Sequence, residues 1–222
     1  MRIFRFAILC LGLALATTFS TSAFAQNMDK QTTVTKPKGD GPFPAVILLH
    51  WTSGVGAPER KWSKTLAANG YAAVILKSSR KIKGTTKDLD TFEPYVPHRV
   101  AELNAANAWV KQQSWSNGTV SVFGRSHGGW VVIDALKQGQ RFHKAVASAP
   151  RCDGARGASA KLRSATPLLI VSGSKDKVVP QAACTDFAKR AGRKVTHAIY
   201  PSGHEVDLRS KAATSAIVQF LR

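Results

Sequence analysis

Acidic side chains are scarce in this chain of 222 residues, where 13 Asp and Glu face 32 Lys and Arg for a formal net charge of +19. The surplus favours encounter with anionic substrates, polymers or envelope surfaces, but it says nothing about fold. It comes without a recognisable nucleic-acid motif, so no specific nucleic-acid partner is expected. The one local concentration of basic residues, Lys77, Arg80, Lys81, Lys83 and Lys87, reads as a solvated loop. Cysteine is equally sparse, with 3 in the whole chain. A disulfide-dense scaffold is therefore excluded, and the fold must rest on a packed core. Internal repeats and low-complexity tracts are lacking, which excludes solenoid and linker architectures. No apolar run is long enough to span a bilayer comfortably.

The longest such run, Phe6 to Phe19, follows Arg2 and Arg5 and precedes Ala23-Phe24-Ala25. A basic start, a short apolar stretch and a small-residue site form a secretory signal peptide. Cys10 within it follows Leu9 rather than a small residue, so lipidation is not expected. The expectation is cleavage after Ala25, export to a periplasmic or secreted location, no transmembrane segment after processing, and a single domain over residues 26–222. Export places Cys152 and Cys184 in an oxidising compartment. Spacing alone does not determine their pairing, but a bridge between them is expected.

Short apolar runs alternate with helical patterns along the rest of the chain. Ala45 to Leu49, Tyr71 to Leu76, Thr119 to Phe123, Lys144 to Ser148, Leu168 to Val171 and Val195 to Tyr200 read as strands. Glu59 to Asn69, Arg99 to Gln113, Trp130 to Leu136 and Ala212 to Leu221 read as helices, and Lys77 to Pro97 as a long surface connection. Continuous apolar strands separated by helices imply a mostly parallel sheet flanked on both faces, an α/β three-layer sandwich. In such sheets working residues gather at the carboxyl edge of the strands.

Three segments at that edge carry chemistry. Gly124-Arg125-Ser126-His127-Gly128-Gly129 follows a β-branched strand and opens a helix, the setting of a Gly-x-Ser-x-Gly nucleophile elbow. Its glycines at either side of the serine are required because the sharp strand-to-helix turn leaves no room for a Cβ. A serine hydroxyl needs a base, and the base an orienting carboxylate, in the chain order Ser, Asp or Glu, His. Asp176 follows the strand Leu168 to Val171, and His204 follows the last strand. Of the six histidines only His204 combines a late position with a post-strand loop, whereas His50, His98, His127, His143 and His197 do not. Asp153 is the competing acid, and Asp176 itself could cap a turn ahead of Pro180. Oxyanion donors are expected from the backbone N–H of His127 and from that of Trp51 or Thr52.

With these residues in order, the chain resembles the α/β-hydrolase superfamily, and within it the compact dienelactone hydrolase-like group. The resemblance rests on Pro44 to His50, Gly124 to Gly129, Gly173 to Pro180 and Ser202-Gly203-His204. It implies hydrolysis of a small ester, lactone or thioester through an acyl-enzyme, without metal or organic cofactor. Ser126 would be the nucleophile, His204 the base and then acid, and Asp176 the carboxylate that holds the imidazole. Two departures stand out: the founding members carry cysteine where this chain has Ser126, and many carry an acid where it has Lys77. The competing reading is a catalytically inactive basic binding protein on the same scaffold, engaging anionic polymer or membrane surface through its charge.

Overall fold

The computed structural model describes residues 27–153 and 161–222; the leader expected at residues 1–25 lies outside them. Seven strands form one sheet: β1 (Thr32–Thr35), β2 (Phe43–Leu49), β3 (Ala72–Leu76), β4 (Ser116–Arg125), β5 (Ala145–Ser148), β6 (Leu168–Gly173) and β7 (Val195–Tyr200). Their order is β1-β3-β2-β4-β5-β6-β7, and only β1 runs antiparallel to its neighbour. The sheet is flanked by helices α1 (Ala57–Ala68), α2 (Val96–Lys111), α3 (His127–Lys137), α4 (Ala182–Ala191), α5 (Val206–Arg209) and α6 (Lys211–Leu221). This is the mostly parallel three-layer sandwich that the alternating sequence pattern requires.

The sheet is apolar on both faces because successive side chains of a strand point to opposite sides. Ala45, Ile47 and Leu49 of β2 join Val100, Leu103 and Val110 of α2, Val132 and Leu136 of α3 and Phe187 of α4 in one core. The alternate residues Val46 and Leu48 join Trp62 and Leu66 of α1 and Ile217 and Leu221 of α6 in the other. The continuous run Ala45 to Leu49 thus serves two cores at once, and a polar residue at any of these positions would face one of them.

Three differences from the sequence reading have physical causes. The strand β1 lies in the polar stretch ahead of Gly41-Pro42, and as a threonine-rich edge strand it carries no continuous apolar run. Helix α2 begins at Val96 rather than Arg99, with Pro97 in its first turn, a position proline favours. The 77–97 connection also contains a 3-10 segment, Leu89–Tyr95, that buries Phe92 against the protein.

The registers position the working edge. Leu49 is level with Gly124, so the chain leaving β2 at His50 lies beside the chain leaving β4 at Arg125. Gly173 is level with Tyr200, which sets the Asp176 loop beside the His204 loop. A Cβ on Gly173 would lie 2.3 Å from the Gly203 carbonyl oxygen, so these two loops meet only because residue 173 has no side chain. Strand order reverses at β2, between β3 and β4, and in open α/β sheets a crevice for ligands forms at such a reversal.

Cys152 and Cys184 form a disulfide that fastens the chain after β5 to α4 across 32 residues. Closing a loop of this size removes freedom from the unfolded chain. Reduction is expected to cost about 2–4 kcal/mol of stability. Thermal melts with and without reductant check this, and two free thiols titrated in the unfolded, unreduced protein would remove the premise.

Candidate active site

The elbow is built by exclusion of side chains. A Cβ at Gly124 would lie 2.1 Å from the Gly128 carbonyl oxygen, so strand and helix can make so sharp a turn only with glycine there. The turn places Ser126 at φ 51°, ψ −117°, a left-handed conformation that a non-glycine residue adopts at a cost. Its amide donates to the Ser148 carbonyl at 2.8 Å, which pins the turn to β5.

Ser126, His204 and Asp176 meet at this edge. Ser126 Oγ and His204 Nε2 are 2.8 Å apart, and His204 Nδ1 lies 2.8 Å from Asp176 Oδ2. If the serine hydroxyl donates to Nε2, Nδ1 carries the ring proton and donates to the carboxylate, a tautomer assigned from the network. The other Asp176 oxygen, Oδ1, accepts from the amides of Val178 and Val179 at 2.8 and 3.0 Å. Burial raises the Asp176 pKa, but His204 and the two amides outweigh it and hold the carboxyl below its ordinary value. The rival acid, Asp153, instead accepts from Arg151 Nε at 3.1 Å.

A cavity of about 230 Å³ opens onto Ser126 and His204. Its walls include Trp51, Phe92, Trp130, Val178 and Val179, so they are largely apolar and aromatic, and among the described residues Arg151 is the one Lys or Arg lining it. Trp51, Thr52 and His127, the residues expected to supply oxyanion donors, all line it. His127 is the first residue of α3, where a backbone N–H has no intrahelical acceptor and is free to bind an anion.

Sequence reasoning missed the buried charges around this cavity. Arg125 ends β4, just ahead of Ser126, and is 3% exposed. Its Nε donates to Asp207 Oδ2 at 2.6 Å and its Nη1 to Glu59 Oε1 at 3.0 Å, and its guanidinium lies 5.3 Å from the Trp51 ring centre. Asp207 further accepts from Trp62 Nε1 at 2.8 Å and Ser148 Oγ at 3.1 Å, and Glu59 Oε2 from the Gly56 amide at 2.8 Å. One guanidinium therefore ties β4, α1, α5 and the Trp51 loop together. The available signal was an arginine closing an otherwise apolar strand, which must be neutralised where it is buried. Arg151 was missed as well; besides Asp153 it meets Asp90 at 2.7 Å and lies over the Trp130 ring.

Two histidines beside the site are held neutral. His50 Nδ1 bonds the Trp51 carbonyl, and its Nε2 accepts from the Ser78 amide. Burial, with Arg99 nearby, pushes the pKa of His50 down to about 4 and that of His127 to about 3. In an unfolded chain histidine titrates near about 6.5, so below that pH the unfolded state takes up protons that the native state refuses. Stability is therefore expected to fall as pH drops from about 6.5 towards 4, by on the order of 3 kcal/mol for each histidine. The depressed Asp176 works in the same direction and loses its contribution as pH falls through its own native value. Urea midpoints at neutral and acid pH check this, and equal midpoints with equal slopes would contradict it.

Known proteins share this fold. Residues 28–159 match the family described as X-Pro dipeptidyl-peptidase (S15 family). No curated protein matches the sequence. Among solved structures, a candidate dienelactone hydrolase of Klebsiella pneumoniae subsp. pneumoniae superposes with a TM-score of 0.69 at 19% identity, over 85% of this chain and 91% of that one. An α/β serine hydrolase homologue of Coxiella burnetii gives 0.67 at 22% identity, over 86% and 91% of the two chains. An esterase of Pyrococcus furiosus gives 0.65 at 18% identity, over 88% and 94%.

Proposed function

This chain belongs to the S15 family of X-Pro dipeptidyl-peptidases, within the α/β-hydrolase superfamily, and from that premise we propose that it is an exported serine hydrolase of a small ester, lactone or thioester. The observation that carries the reading is the unbroken chain of contacts from Ser126 Oγ through His204 to Asp176, opening onto an apolar cavity. Ser126 Oγ attacks the substrate carbonyl while His204 Nε2 takes the hydroxyl proton. The imidazolium so formed is stabilised by Asp176, whose carboxylate the Val178 and Val179 amides hold in place. The oxygen of the tetrahedral intermediate takes hydrogen bonds from the His127 N–H and from that of Trp51 or Thr52. His204 returns the proton to the departing alcohol or thiol, and a water activated by the same imidazole then releases the acid. These residues perform each proton transfer themselves.

Peptide hydrolysis is the second reading, and the family match favours it. A dipeptidyl-peptidase holds a free amino terminus, a task for a carboxylate. No Asp or Glu lines the cavity among the described residues, which supports an uncharged acyl group over a peptide amine.

Fluorophosphonate labelling read by mass spectrometry tests the proposal. Labelling at Ser126 that disappears in His204→Ala is expected, followed by turnover of short activated esters in preference to X-Pro anilides. Absence of labelling in folded protein would overturn it and favour the basic binding protein.

A further inference from the structure

Arg99 stands in the first turns of α2 and is 1% exposed. Among the described residues no carboxylate accepts a hydrogen bond from it. Its Nη1 donates to His127 Nδ1 at 2.8 Å and its Nη2 to the His50 carbonyl at 2.8 Å. Burying a guanidinium against two neutral acceptors is costly, and a methionine would fill the space with no charge to desolvate. The carboxylates that act on it, Glu102 and Glu59, offset that cost only in part, because Glu102 is engaged by the Ser79 amide and Glu59 by Arg125 and the Gly56 amide.

The identity of the two acceptors supplies a reason. The His50 carbonyl and the Trp51 N–H belong to one planar peptide group, in which the two point in opposite directions. A donor fixed on the carbonyl therefore aims the N–H the other way and polarises it. The second acceptor is the ring of His127, whose own N–H is the other oxyanion donor. That ring accepts from Arg99 at Nδ1 and, with Nε2 within 3.0 Å of the Phe92 carbonyl, donates there.

We propose that Arg99 is the positioning residue of the oxyanion hole, fixing the Trp51 N–H through the His50 carbonyl and the His127 N–H through its imidazole. This rests on the acyl-transfer reading above and selects Trp51 over Thr52 as the second donor. Arg99 touches no substrate. Its buried charge sits behind both donors, where it stabilises the negative oxygen of the transition state more than the neutral carbonyl of the ground state.

The test begins from wild-type protein that labels at Ser126; without that labelling the acyl-transfer reading fails, and this inference with it. In Arg99→Met, kcat is expected to fall about 100-fold with KM nearly unchanged, and in Arg99→Lys by about tenfold. A structural role would not move the decisive readout, the affinity for a trifluoromethyl ketone, which forms a hemiketal oxyanion on Ser126, relative to its unfluorinated methyl ketone. That ratio is expected to shrink in step with kcat. Where the Arg99 variants do not fold, His127→Leu removes the Nη1 acceptor and is expected to lose kcat, and His127→Asn, whose Oδ1 takes the place of Nδ1, to restore it. Wild-type kcat and an unchanged ketone ratio in any folded Arg99 variant, or equal losses in the two His127 variants, would overturn the inference.

Discussion

Ser126→Ala is expected to lower kcat for a short activated ester by about a million-fold, leaving only the residual rate that binding and the oxyanion donors supply. The fold should be untouched. Among the described residues the Ser126 side chain makes one hydrogen bond, to His204, and alanine meets the same φ of 51° at a similar cost. KM should hold within a few-fold, because the walls of the cavity are unchanged. Asp176→Asn should cost less, about ten-thousand-fold, since the imidazole keeps a partner but loses its charge and tautomer. Adding His204→Ala to Ser126→Ala should cost nothing more, because the three groups act as a unit. Stopped assays on protein freed of contaminating esterase measure all of these. A Ser126→Ala loss of only tenfold would place the nucleophile elsewhere.

Arg125→Met is expected to be the most destabilising single change near the site, at about 3–5 kcal/mol. The arginine is not valuable for its attraction alone; its removal strands Asp207 and Glu59, both buried, without a counter-charge. In a domain of this size such a loss lowers the melting temperature by on the order of 10 °C. Replacing all three, as Arg125→Met with Glu59→Gln and Asp207→Asn, should recover much of the loss, since positions 59 and 207 then carry no charge to strand. Urea denaturation of the single and triple variants decides the matter. A single-variant loss under about 1 kcal/mol would show that water reaches the carboxylates.

The parallel core and the edge residues were legible because each depended on a local rule. Continuous apolar runs such as Ala45 to Leu49 can only be buried on both faces, and a serine between glycines after a strand can only make a tight turn. The order of Ser126, Asp176 and His204 along the chain then placed them at one edge through the topology alone. What stayed hidden depended on contacts between distant segments. Nothing near Arg99 in the sequence shows that its guanidinium meets the His50 carbonyl, 49 positions away. Phe92 sits in a charged stretch where one aromatic gives no period to read, yet it forms a wall of the cavity. Strand β1 escaped because pairing with the edge of β3 asks only for a backbone, and its threonines advertise no buried face.

Phe92 also meets the molecule in two separable ways. Its ring shapes the cavity, whereas its carbonyl takes the His127 Nε2 hydrogen bond that steadies the helix behind the nucleophile. Every residue type has a carbonyl, so a lineage or an engineer can exchange the ring for a smaller or larger side chain while the bond to His127 persists. Under the proposed reading, selectivity can in this way drift at position 92, within the limit set by the His127 ring, which the Phe92 ring meets edge-on at 6.1 Å between centres.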